Sequence, residues 1–146
     1  MASLATGQIS IVDLADGKSL SSYINSNQPR IQVQEVNAGT FSPDWSVTAG
    51  NVVLTPVVYA DQTQIPLSQS GLTIDWKRRE GSASETALIT GEEAASGVLT
   101  VSQNKMASIS AGMLTYIVYV TYTDPDTGEA ISVSAAIDFA LVKTGQ

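Results

Sequence analysis

The sequence predicts an all-β domain in which antiparallel sheets pack face to face. Three observations carry that prediction. First, Ile131, Val133, Ala135, Ile137, Phe139 and Leu141 alternate with their neighbours near the end of the chain. A period of two sustained over that length needs one buried and one wet face. Second, several shorter runs rich in Val, Ile, Thr and aromatic residues are separated by turn residues, with no long stretch of helical period between them. Third, only 14% of the 146 residues are charged, and polarity comes instead from Ser, Thr, Gln and Asn. Thr, Val and Ile fit a pleated, half-buried surface.

The elements follow in chain order. Residues 8–14 read as a short strand with Ile9 and Ile11 on one face, closed by a turn at Asp16-Gly17. In residues 19–25, Leu20, Tyr23 and Ile24 stand at helical spacing and predict one or two helical turns. Pro29 biases Gln28 to extended backbone. Residues 30–36 then alternate, with Ile31 and Val33 predicted inward and Gln32 and Gln34 outward. Residues 37–51 contain Gly39, Pro43 and Gly50 and read as a loop. The main boundary is placed there, with 1–50 an N-terminal extension and 51–146 the sandwich. The extension is too small to fold alone and must borrow a core. Residues 52–59 are apolar on both faces, as in a covered strand. Pro56 within them predicts an edge or a bulge, because proline donates nothing to a ladder. In residues 72–77, Leu72, Ile74 and Trp76 share a face. Residues 81–97 form a long loop with a weak strand at 87–90, followed by strands at 98–103 and 114–123. Asp124-Pro125-Asp126-Thr127-Gly128 turns the chain into a last strand over 129–142.

Composition excludes several functions. Fourteen acids against seven bases give a net charge of −7, the wrong sign for displacing counterions from nucleic acid or for docking on anionic lipid. Histidine is absent, which removes the usual general base, proton switch and metal ligand together. Ser-His-Asp or Cys-His chemistry has no base to use, and a zinc site would have only carboxylates. These gaps predict a non-enzymatic chain without a cofactor. Cysteine is also absent, so no disulfide framework is expected. Residues 1–10 have no basic segment followed by an apolar one, so no signal peptide is expected. The longest mostly apolar run, 113–120, is too short to span a bilayer.

Several clusters carry a sharper reading beside a plainer one. Asp124, Asp126 and Glu129 suggest calcium ligands, but the set is incomplete and a hairpin turn is favoured. Lys77-Arg78-Arg79 suggests a phosphate-polymer contact, but a solvated strand end is favoured. Glu85, Glu92 and Glu93 suggest paired carboxylates for glycoside hydrolysis, but a solvated loop is favoured. Trp45 with Phe41 suggests a sugar-stacking cluster, but an anchor onto the sandwich is favoured. Tyr119 and Thr121 point outward from the long strand and are the candidate interface residues.

Two resemblances extend this reading. Trp76 in a mid-chain strand resembles the core Trp of strand C in immunoglobulin domains. Tyr116-Ile117-Val118-Tyr119-Val120 resembles their strand F. The resemblance implies an immunoglobulin-like antiparallel β-sandwich with a short N-terminal strand/turn extension. Trp76, Tyr116 and Val118, with Phe139, would be the fold-defining core. Val118 would replace the second disulfide cysteine, and Leu54 or a neighbouring valine the first. The Tyr116 hydroxyl would reach back to backbone near Ala111 or Gly112. Secondly, the opening Gly7-Gln8-Ile9-Ser10-Ile11-Val12-Asp13-Leu14 and Ser19-Leu20-Ser21-Ser22-Tyr23-Ile24 resemble tail structural proteins of phages infecting Gram-positive bacteria. Gly39-Thr40-Phe41-Ser42-Pro43-Asp44-Trp45, Trp76 and the closing Ile137-Asp138-Phe139-Ala140-Leu141-Val142-Lys143-Thr144-Gly145 belong to the same resemblance. It implies a virion module, exposed to the exterior, cut from a longer tail-tip, baseplate or fibre polypeptide. The implied partners are other tail proteins or the rest of that chain, with a homotrimer or ring as the implied assembly. A host cell-wall glycan is the alternative partner.

Overall fold

The computed structural model of the chain describes residues 10–13 and 19–145. Its strands are β1 (Ser10–Asp13), β2 (Ser19–Ser26), β3 (Ile31–Glu35), β4 (Thr40–Ser42), β5 (Val52–Ala60), β6 (Thr63–Ile65), β7 (Leu72–Glu80), β8 (Glu92–Ala95), β9 (Val98–Val101), β10 (Met113–Thr123) and β11 (Ala130–Thr144). One sheet has the order β1-β2-β5-β9-β8, with β6 beside β5, and the other β4-β3-β11-β10-β7. The chain is an all-β sandwich.

The β10–β11 hairpin is the spine of the second sheet, in continuous register from Met113↔Ala140 to Thr123↔Ala130. Its turn is closed by Asp124 N to Glu129 O at 2.9 Å and Gly128 N to Asp124 O at 2.7 Å. Thr115 and Ile117 are buried on the outer side of β10. On β11 the alternation in the sequence appears as alternation in space: Val133, Ala135, Ile137 and Phe139 are buried, as are Leu114, Tyr116, Val118 and Val120 on the inner side of β10. They join Leu20, Leu54, Val58, Leu99 and Val101 of the other sheet in one core. Trp76 enters the same core from β7, opposite Val118.

The described residues before Asn51 are built into this sandwich. Residues 19–25 are not helical turns: β2 pairs with β5 from Leu20↔Ala60 to Ser26↔Leu54. Leu20 and Ser22 point inward while Tyr23 is 38% exposed. Three apolar residues at helical spacing are a weak local signal, and seven paired positions along β5 override it. β3 corrects a second expectation. Ile31 is 50% exposed and Gln32 fully buried, the inverse of the predicted faces. Parallel pairing sets Ile31 beside the outward Ala140 and Gln32 beside Leu141. A shift of one residue turns every side chain over, and Gln32 tolerates the interior because its amide is bonded there, as described below.

Pro56 lies where β5 changes partners. Its far flank pairs with β9 through Leu54 and with β6 from Val58, leaving a gap at residue 56. The weak strand expected at 87–90 is absent. In its place Thr86 bridges Arg78, and the strand begins at Glu92. The expected turn at Asp16-Gly17 and the residue Ile9 lie outside the described residues.

Candidate interaction surface

Alternation along β7 puts Arg78 on the same inward face as Trp76, opposite Tyr116. Arg78 is 3% exposed and Glu92, the first residue of β8, is 4% exposed. This overturns both readings as solvated groups. Arg78 Nε donates to Glu92 Oε2 at 2.9 Å and Arg78 Nη1 to Glu80 Oε2 at 2.6 Å. The Tyr116 hydroxyl donates to the same Glu92 Oε2 at 2.6 Å, and Ile89 N to Oε1 at 3.0 Å. The tie crosses the core from β7 and β10 to β8. Tyr116 therefore does not return to backbone near Ala111 or Gly112. A carboxylate on the facing sheet is its partner. Burial, then the Glu92 charge, pushes the Tyr116 phenol far above its ordinary range. Burial opposes the Arg78 charge, but hydrogen bonds to Glu80 and Glu92 outweigh it and raise its pKa. A second tie lies beside the first. Trp76 Nε1 donates to Gly97 O at 3.0 Å, in the two-residue Ser96-Gly97 turn between β8 and β9. Both residues there have positive φ, 53° and 84°, as such a turn demands.

Another hub closes one end of the sandwich. Asn104 Nδ2 donates to Asp44 Oδ1 at 2.9 Å, while Asn104 Oδ1 accepts from Gln32 Nε2 at 2.8 Å and Trp45 N at 2.9 Å. Gln32 Nε2 also reaches Pro43 O at 2.9 Å. Trp45 is fully buried, its ring edge-on to Phe139 with centroids 5.3 Å apart. It anchors the 43–51 loop, and its ring is closed to any sugar. Phe41 is half-buried. Gly50 allows the loop to close, since a Cβ there would collide with the Asp44 carbonyl. Hydrogen bonds from the Ser46 hydroxyl, Asn104 and Ser46 N hold Asp44 below its ordinary pKa. Such a carboxyl contributes stability above its unfolded pKa and loses it as pH falls through the folded one. Asp44→Asn is thus expected to lower the melting temperature at pH 7, with the gap to wild type narrowing as pH falls below the ordinary carboxylate range. A gap that persists in acid would mean that the loss is not electrostatic.

The outward face of β7, β10 and β11 carries Tyr119 and Thr121, both half-buried. The Tyr119 hydroxyl is held by Glu85 at 2.6 Å and 2.7 Å, which raises its pKa, with burial a smaller cause. Thr121 Oγ1 and Ser132 Oγ lie 2.8 Å apart, and Thr115 Oγ1 donates to Asp138 Oδ1 at 2.6 Å. Lys77 sits 3.7 Å from Asp75. An open groove lined by Arg79, Gly81, Ser82, Ala83, Ser84 and Glu85 borders this face. The structure thus brings Tyr119 and Glu85 together but leaves Glu93 apart and exposed, while Glu92 is inside. Asp124 organises its own turn, accepting Asp126 N on Oδ1 at 2.9 Å. Among the described residues no three His, Cys, Asp or Glu side chains are grouped to hold a metal ion. No helix there is long and apolar enough to cross a membrane.

Sequence reasoning missed Arg78 and Glu92 as interior residues and the half-buried Asn104 as the hub of the 43–51 loop. Arg78 carried a signal: it stands two residues after Trp76, and so on the same face of the strand. Asn104 carried none. No protein-family model, curated protein or solved structure matches the chain.

Proposed function

We propose that the chain is a non-catalytic structural and interaction module of a phage tail, acting in baseplate, tail-tip or fibre assembly or in attachment to the host surface, and built as an immunoglobulin-like sandwich. The resemblance of its opening, middle and closing segments supports the assignment to a tail. The strand order supports the fold: β2-β5-β9-β8 against β11-β10-β7 corresponds to A-B-E-D against G-F-C of immunoglobulin domains. A fold does not specify a function, so the site must carry the argument. The observation that carries it is how the reactive groups are used. Arg78, Glu92 and Tyr116 saturate one another inside the core, and the outward strands offer paired polar side chains on a rigid scaffold. Such a face suits docking.

Antibodies raised against the purified chain test this assignment. Electron microscopy of particles from the source of the sequence should show label on tails. Label confined to cell debris would sink it. The alternative, a carbohydrate-binding or adhesin domain, loses Trp45 as a stacking platform and must rely on Tyr119 beside the 79–85 groove. Retention on Gram-positive cell walls that Tyr119→Ala abolishes would favour it.

A further inference from the structure

The chain leaves β7 through a short loop that is tied down along its length. Gly81 N donates to Met113 O at 3.0 Å and Ala83 N to Glu80 O at 3.0 Å. Arg78 and Thr86 exchange both backbone bonds, at 3.0 Å and 2.8 Å. Between these ties the Tyr119 hydroxyl of β10 holds the Glu85 carboxylate. The open groove that the loop forms with Arg79 has a volume of about 700 Å³. That is room for a small molecule or for one or two rings of a polymer. Its walls are set by the fold itself, so a ligand would not have to order them.

The polar groups of the groove differ from those on the rest of this face. There, Thr121 lies against Ser132, Thr115 donates to Asp138, and Lys77 is paired with Asp75. In the groove, Arg79 and Glu85 carry opposite charges, yet no salt bridge joins them. The Arg79 guanidinium points outward, since its neighbour Arg78 is buried. Among the described residues it has no acidic partner, and the Ser82 and Ser84 hydroxyls have no bond within the protein. Donors and acceptors are thus set in one concave place and left for something else to satisfy.

Charge decides the class of ligand. A phosphate or carboxylate would gain Arg79 but meet the Glu85 carboxylate, on a chain of net charge −7. A cation would meet Arg79. An apolar molecule would strip water from both charges and return no hydrogen bond. A neutral molecule with adjacent hydroxyls satisfies the whole set, because every hydroxyl both donates and accepts. One gives its proton to Glu85 while its neighbour accepts from Arg79, and Ser82 and Ser84 remain for a third.

We propose that the 79–85 groove binds a neutral carbohydrate, with Glu85 accepting from one sugar hydroxyl and Arg79 donating to the next. The inference rests on the host-attachment part of the function proposed above and names its ligand class. Glu85 is exposed and Arg79 half-buried, so water competes for both and one groove alone binds with a Kd of about a millimolar. Many copies on one particle, engaging a polysaccharide together, would bind far more tightly.

Proton–nitrogen NMR of the full chain reads binding amide by amide. Maltotriose, cellotriose and chitotriose serve as neutral probes and inorganic phosphate as the charged one, each raised to about 50 mM to cover weak binding. At least one trisaccharide should shift the amides of residues 79–85 saturably, and phosphate should not. Glu85→Gln and Arg79→Met should each weaken that binding about tenfold or more, the effect of taking a charged partner from a hydrogen bond. Unchanged amide positions away from the groove would show that each variant folds. Three results overturn the proposal: groove amides that no trisaccharide moves, a sugar response that both variants keep, or a phosphate response stronger than any sugar's. The last would make the groove an anion site served by Arg79. Labelled tails with a groove silent to sugar would sink this inference alone; sugar binding with unlabelled tails would sink only the assignment to a tail.

Discussion

Arg78→Met is expected to destabilise the protein by about 3–5 kcal/mol, the usual cost of stripping a buried carboxylate of its cation. For a chain of this size that corresponds to a fall in melting temperature on the order of 10 °C or more. The side chain of Glu92 is fully enclosed, so water cannot replace the guanidinium. Only Tyr116 and Ile89 N would remain as donors to it. Chemical denaturation of the variant reads the loss directly. The triple variant Arg78→Met, Glu92→Leu, Tyr116→Phe should recover most of it, because apolar groups of similar volume leave nothing unpaired. An Arg78→Met chain within about 1 kcal/mol of wild type would show that the tie carries little of the fold's stability. The phenol adds a signature at high pH. Its folded pKa is raised, so its contribution is complete below the unfolded value and declines as pH rises beyond that value. Wild type should therefore lose stability above about pH 10. Tyr116→Phe removes that component of the decline, and denaturation curves of the two chains across this range compare them.

Trp45→Ala should cost about as much, roughly 3–5 kcal/mol, by opening a large cavity against Phe139. The expected result is a lower melting temperature together with faster hydrogen exchange across residues 43–51, since the loop would keep only polar ties, to Asn104, Gln32 and Asn27. Trp45→Phe should cost much less. It keeps an aromatic edge for Phe139, and it removes an indole N–H that is buried without a hydrogen-bond partner among the described residues. If Trp45→Ala left exchange in the loop unchanged, the anchor would have to be assigned to Asn104 and Asp44 instead.

What could be read from the sequence depended on how local its cause was. β7 and β11 were legible because their period of two is written residue by residue, and their burial follows it; β10 was legible from its run of β-branched and aromatic residues, and its burial is continuous from Leu114 to Val118. β2 was not, because Ser19–Ser26 has little strand propensity of its own and is a strand by virtue of β5. The face of β3 was unreadable for a similar reason. Gln32 is inside because Asn104, 72 residues away, and the Pro43 carbonyl receive its amide. The same holds for the basic run and the acidic loop. Arg78 and Glu92 each look solvated alone, and only their meeting across 14 residues of chain explains both burials. Tyr119 and Thr121 were placed outward by alternation, but Glu85 and Ser132 as their partners were not foreseeable from it.

The parallel β3–β11 pairing has a mechanical consequence. The two strands run side by side over Ile31↔Ala140 to Glu35↔Thr144, with evenly spaced hydrogen bonds. Tension entering at the start of β3 and leaving past Thr144 pulls the strands lengthwise in opposite directions. All of those bonds are then loaded together instead of opening one at a time from an end. Rupture under force is governed by the unfolding barrier, so the chain should extend only at forces well above those that peel a hairpin such as β8–β9, whose bonds open in sequence.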